Sequence, residues 1–78
     1  MTNIEKYNQV FSETFGVATD SLPTLVYQGI KEWDSVGHMT LVANLEDAFD
    51  IMMEMDDIID LSSYEKGKEL LKKYEVEL

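Results

Sequence analysis

Few side chains in this 78-residue chain could take part in covalent chemistry. There is no cysteine, which excludes disulfides, thiolate metal sites and a cysteine nucleophile. The single histidine, His38, lies one turn beyond Ser35. Nothing in the sequence brings a nucleophile, a base and an oxyanion hole to one place, so triad chemistry has no support. A lone histidine of this kind reads first as an exposed residue and second as a pH-sensing group. Ser35 is the hydroxyl of interest. It stands where a helix should begin, and serine is among the preferred N-cap residues, so position alone is explained by a plain cap. A hydroxyl at a helix start beside a long loop is also one that a modifying enzyme can reach. Acids cluster at Asp50, Glu54, Asp56, Asp57 and Asp60, yet the spacing, loop glycine and terminal glutamate of an EF-hand are absent. That cluster reads as solvated surface; a calcium-binding module is the weaker alternative.

The elements that must position these groups are helical. From Thr2 to about Phe15, the residues Ile4, Tyr7, Val10, Phe11 and Phe15 recur at helical spacing. Thr2 with Glu5 has the form of a capping box, and Gly16 is a natural stop. From Gly16 to Asp34 the periodicity disappears, but Leu22, Leu25, Val26, Tyr27, Ile30 and Trp33 are too apolar for a free linker. Such a long loop is expected to be pinned to the core by those side chains. A second helix opens at Asp34-Ser35 and runs to about Asp50. A short turn or helix follows through Met55–Asp60. A last helix begins near Ser62 or Ser63, where Ser62 and Glu65 have capping-box spacing. Gly67 inside it costs about 1 kcal/mol relative to alanine, which points to close packing there. No segment alternates long enough for a strand. The expectation is a single all-α domain over residues 1–78: a small four-helix bundle with three main helices, a short third helix, and a long structured loop between helices one and two.

Sixteen acidic residues against six basic ones leave a net charge of −10. Such a field repels nucleic acid and anionic membrane and attracts basic protein surfaces. A hydrophobic share of 45% argues against a disordered acidic tail. No apolar run approaches the ~20 residues that a membrane span needs. The opening Met-Thr-Asn-Ile-Glu lacks the basic start and apolar stretch of a signal peptide, so the expectation is a folded, monomeric, cytoplasmic protein.

Helix two carries two apolar strips. At about 100° per residue, Leu41, Val42, Leu45, Ala48 and Phe49 fall on one broad core face. Val36, Met39 and Ala43 fall on the other side, interleaved with Glu46, Asp47 and Asp50. Scattered exposed apolar residues are ordinary. The sharper reading is a partner-docking surface made of Val36, Met39, Ala43, Glu46, Asp47, Asp50, Asp56 and Asp57, apolar at its centre and acidic at its rim.

The run Trp33-Asp34-Ser35-Val36-Gly37-His38-Met39, continued by Leu41-Val42, Leu45-Glu46 and Phe49-Asp50-Ile51, resembles the Asp-Ser-Leu attachment motif and recognition helix of acyl carrier proteins. The resemblance extends through Asp56-Asp57-Ile58 and Leu61-Ser62-Ser63-Tyr64 into Lys66-Gly67-Lys68-Glu69-Leu70-Leu71, and with helix one it covers nearly the whole chain. It implies that the protein is not an enzyme. Ser35 would receive 4′-phosphopantetheine from coenzyme A through a phosphopantetheinyl transferase. The arm's thiol would carry acyl groups between loading and transferring enzymes. Asp34 would help to position the motif and any metal in the transferase complex. A helix start suits the arm's phosphate, because unsatisfied N–H groups and the helix dipole favour an anion. The resemblance also implies an acyl chain held between the helices, which the adaptable Met39, Met52, Met53 and Met55 would suit as well as they suit ordinary core filling.

The sequence departs from the pattern in places. Val36 replaces the commoner leucine. Gly37, His38, Thr40 and Asn44 make the start of the recognition helix less acidic than usual, and Glu54 stands where many relatives have proline. These departures point away from the central fatty acid biosynthesis carrier and toward a specialised one, as in polyketide or other secondary lipid metabolism. A D-alanyl or peptidyl carrier with the same arm remains an alternative.

Overall fold

The computed structural model describes residues 1–78 and is built of helices, without strands. Helix α1 spans Asn3–Phe15. Both halves of its capping box form: Thr2 Oγ1 accepts from the Glu5 N–H at 3.3 Å, and the Glu5 carboxylate accepts from the Thr2 N–H at 2.9 Å. The Thr2 N–H and the Thr2 hydroxyl, both donating to the Glu5 carboxylate, hold it below its ordinary pKa. Gly16 ends the helix at φ +65°, a left-handed conformation that costs glycine little.

The segment that follows is irregular but fastened. A 3₁₀ turn, Thr19–Thr24, buries Leu22, and Leu25 and Trp33 are buried beyond it. Trp33 stacks on Phe15 with centroids 5.2 Å apart and meets Phe11 edge-on at 5.7 Å. A backbone clasp adds to this packing. Val26 pairs antiparallel with Ser63; the Tyr27 N–H donates to the Ser62 carbonyl at 2.8 Å, and the Tyr64 N–H to the Leu25 carbonyl at 3.0 Å. Of the six apolar side chains expected to pin the loop, Leu22, Leu25 and Trp33 are buried and Tyr27 and Ile30 half-buried, but Val26 is exposed and holds the loop through its backbone instead; the clasp is a second fastening that no side-chain pattern announced.

Helix α2 spans Ser35–Phe49. Leu41, Val42 and Leu45 are buried against α1, and Ala48 and Phe49 are half-buried. Complete burial of leucines such as Leu41 and Leu45 stabilises the fold by about 1.5–3 kcal/mol each. The Asn44 amide donates to Thr14 Oγ1 at 2.9 Å and ties the solvent edge of the same pair. Asp50 closes α2 in a left-handed conformation at φ 53°, which aspartate tolerates better than most residues.

Helix α3, Met55–Asp60, and helix α4, Tyr64–Lys72, complete the chain. The cap of α4 is Ser63, whose Oγ accepts from the Lys66 N–H at 2.9 Å; the Ser62–Glu65 capping box expected from spacing does not form. Gly67 lets α4 pack closely on Tyr7 of α1, because an added Cβ would run into the Tyr7 hydroxyl and Leu61. That hydroxyl donates to the Tyr64 carbonyl at 2.6 Å, and burial pushes its pKa far up.

Asp57 departs most clearly from expectation. It is 2% exposed, its Oδ1 accepts from Lys73 Nζ at 2.7 Å, and the Tyr74 hydroxyl donates to Oδ2. Tyr74 Oη in turn accepts from the Glu54 N–H at 2.8 Å. The Lys73 and Tyr74 hydrogen bonds hold the Asp57 carboxyl below the usual range. Asp57 therefore anchors α3 to the C-terminal tail and is not available as a docking carboxylate. No helix is long and apolar enough to cross a membrane.

Candidate functional site

The start of α2 is built around Asp34. Its carboxylate accepts from the Gly37 N–H at 2.8 Å, and its carbonyl from the His38 N–H at 2.8 Å, so Asp34 is the N-cap. Ser35 is the first residue inside the helix, one position later than a capping serine would stand. Its hydroxyl is released from capping, and the residue is exposed. The polar neighbour of Ser35 Oγ is the Tyr27 hydroxyl at 3.2 Å. The Ser35 and Val36 N–H groups find no acceptor within the chain, as expected for a first helical turn.

The turn is also sterically tight. An added Cβ on Gly37 would land on the Glu32 carbonyl, which is backbone and cannot swing away. Glycine at position 37, which is a departure in type from the attachment motif, thus lets the loop bearing Trp33 pass directly against the first turn of α2.

Beside Ser35 an open cleft of about 420 Å³ runs between α2 and α3. Met39, Met55, Ile58, Ile59 and Leu61 make most of its wall, with Tyr27, Ser35, His38 and Ser62 at its polar edges. The four methionines divide. Met39 and Met55 line the cleft, Met53 lies in the core, and Met52 projects into solvent. His38 is half-buried, contrary to the exposed position expected of it. Its Nδ1 accepts from Trp33 Nε1 at 3.0 Å, and its Nε2 lies 2.7 Å from the Ile58 carbonyl.

The residues assigned to a docking face separate into groups. Val36 is 75% and Met39 54% exposed, and Ala43, Asp47, Asp50 and Asp56 are exposed with them. Glu46 is half-buried, with Oε2 accepting from the Met53 N–H at 2.9 Å, so one of its oxygens is occupied within the chain. Asp57 is withdrawn altogether. Tyr27 escaped the sequence reading as a site residue: it lies in a stretch without periodicity, and its proximity to Ser35 comes from the clasp together with packing on Trp33 and His38. The acids around Asp56 do not converge, and no three histidine, aspartate or glutamate side chains are placed to hold a metal ion.

No family model, curated protein or solved structure matches the chain. The arrangement itself is therefore the basis for function: an exposed serine hydroxyl in the first turn of a helix, a phenol against it, and an apolar cleft opening alongside.

Proposed function

We propose that this protein is a carrier of the acyl carrier type, in which Ser35 bears 4′-phosphopantetheine and α1–α4 form the small four-helix bundle of that class. The observation that carries the reading is the coincidence of a non-capping, exposed Ser35 hydroxyl with an apolar cleft beginning at the same residue. A serine serving only as a cap would spend its oxygen on a backbone N–H, and here Asp34 does that instead.

The residues present suit the group. A phosphodiester on Ser35 Oγ would lie by the Ser35 and Val36 N–H groups at the positive end of α2, with the Tyr27 hydroxyl as a further donor. When bound, the arm supplies the thiol that this cysteine-free chain lacks, and acyl groups are carried on it as thioesters. Met39, Met55, Ile58 and Ile59 then shelter apolar cargo from water, which favours an acyl carrier over a D-alanyl or peptidyl one. Val36 and Met39, with Asp47, Asp50 and Asp56 around them, offer basic partner enzymes an apolar contact ringed by charge. In this reading the protein acts as a cytoplasmic monomer on which a phosphopantetheinyl transferase and the acyl-loading and acyl-transferring enzymes work.

The test is incubation of the folded chain with coenzyme A and a broad-specificity transferase, followed by intact mass and fragmentation. The expected result is one arm, located on Ser35 and absent from Ser35→Ala. An unmodified wild type, or an adduct that survives in Ser35→Ala, refutes the assignment.

A further inference from the structure

One wall of the cleft beside Ser35 is held more by polar bonds than by packing. Of the six residues of α3, only Asp57 is buried and Ile58 half-buried; Met55, Asp56, Ile59 and Asp60 are exposed. Two attachments fix the helix. One is Asp57, bonded to Lys73 and Tyr74 on the tail side. The other is the Ile58 carbonyl, which lies 2.7 Å from His38 Nε2 and makes the one hydrogen bond that joins α2 to α3. In a helix of this length the Ile58 carbonyl has no i+4 amide within the helix to accept from, which leaves it free for a side chain.

The proton on His38 is placed by its other neighbour. An indole N–H can only donate, so Nδ1 must be the accepting nitrogen and Nε2 must carry the hydrogen given to Ile58. The ring is held at its edge and on a face. It lies nearly coplanar with Trp33, at an interplanar angle of 16° and joined to it side by side through the hydrogen bond, and meets Tyr27 edge-on, with centroids 5.3 Å apart. Trp33 is itself wholly buried. A rigid path thus runs from the core through Trp33 and His38 to α3.

We infer that His38 is a positioning residue, a latch in the neutral Nε2–H form that holds α3 over the cleft and so sets the length of chain the cleft can shelter. The consequence for cargo rests on the carrier reading, whereas the latch itself does not.

The two are tested separately on the full chain. Nitrogen-15 NMR should find Nδ1 unprotonated and Nε2 protonated at neutral pH; the opposite tautomer overturns the latch. His38→Gln places an amide where Nε2 was and can still donate to Ile58. His38→Asn reaches only the Nδ1 position, keeping Trp33 satisfied but leaving Ile58 without its donor. Losing one hydrogen bond of this kind should speed amide exchange in α3 about tenfold in His38→Asn, with α1 unchanged and His38→Gln close to wild type. Equal acceleration in both variants, acceleration in neither, or acceleration spread over every helix overturns the inference. After loading with butyryl, octanoyl or dodecanoyl arms, wild type should slow thioester cleavage by hydroxylamine up to a limiting length, and His38→Asn should shift that limit. An unchanged limit overturns the role in cargo length. A chain that accepts no arm refutes the carrier reading, and the exchange data still judge the latch.

Discussion

Alanine at position 37 should destabilise the protein, although the same change at most exposed helical glycines does the opposite. Glycine costs a helix about 1 kcal/mol relative to alanine, so Gly37→Ala begins with that gain. The new Cβ, however, would coincide with the Glu32 carbonyl, and its other near neighbours are Glu32 C at 3.2 Å and Asp34 Oδ1 at 3.4 Å. Relief requires Glu32 to move. The next residue is Trp33, wholly buried, stacked on Phe15 and bonded to His38, with its carbonyl accepting from the Gln28 N–H at 2.9 Å. The strain therefore falls either on that packed indole or on the Asp34 cap. Overpacking of this sort costs about 1–3 kcal/mol, and a backbone oxygen that cannot swing away puts this site toward the upper end, which leaves a net loss of up to about 2 kcal/mol after the propensity gain. With a urea slope of about 1 kcal/mol/M for a domain this small, the unfolding midpoint should fall by up to about 2 M. Circular dichroism at 222 nm against urea reads this directly. Transferase modification of Ser35 should slow in parallel, since the segment that moves is the one presenting the hydroxyl. A raised midpoint would refute the reasoning, because it would mean that the Glu32 carbonyl does not press against Gly37.

Other substitutions probe other parts of the argument. Met39→Glu, on the exposed side of α2, should weaken transfer to partner enzymes while changing stability by no more than about 0.5 kcal/mol; unfolding would show that the residue belongs to the core. Gly67→Ala should cost up to about 2 kcal/mol net of the helix-propensity gain by driving a methyl into the Tyr7 hydroxyl, and Tyr7→Phe in the same chain should recover part of that loss, as a denaturant-measured double-mutant cycle would show. The Asp57 carboxyl is held below its ordinary pKa, so it contributes stability that is complete above the unfolded-state value of about 3.9 and is lost as the pH falls through the folded value. Asp57→Asn should accordingly be less stable at pH 7 and show a shallower loss on acid titration, whereas an unchanged acid slope would mean that the Lys73–Tyr74 anchor contributes nothing.

The parts of the fold that were legible in the sequence are those determined locally. The capping box of Thr2 and Glu5, the stop at Gly16, the core face of Leu41, Val42 and Leu45 and the limits of α3 each depend on residues within a turn or two of one another. Competition between adjacent polar residues was not legible. Asp34 displaces Ser35 from the cap and Ser63 displaces Ser62, because all four are good cap formers and only the tertiary path of the chain decides between neighbours. Burial of Asp57 was hidden for a related reason: its partners, Lys73 and Tyr74, lie beyond the next helix, and an acid in an acidic run looks solvated until they are in place. The site was half legible. Ser35 follows from its flanking residues, but Tyr27, Ile58 and Leu61 reach it only through the folded arrangement of the loop and α3.

The clasp between Val26 and Ser63 has a consequence for the timing of maturation. Its two backbone bonds need residues from both halves of the chain, so they cannot close until the C-terminal half has been synthesised. The helix bearing Ser35 emerges earlier, with its hydroxyl already accessible but with neither the Tyr27 contact nor the α3 wall in place. If Ser35 bears an arm as proposed, a nascent chain would thus be open to modification before it could shelter any cargo, and completion of the last helix would turn a merely reachable serine into a working site.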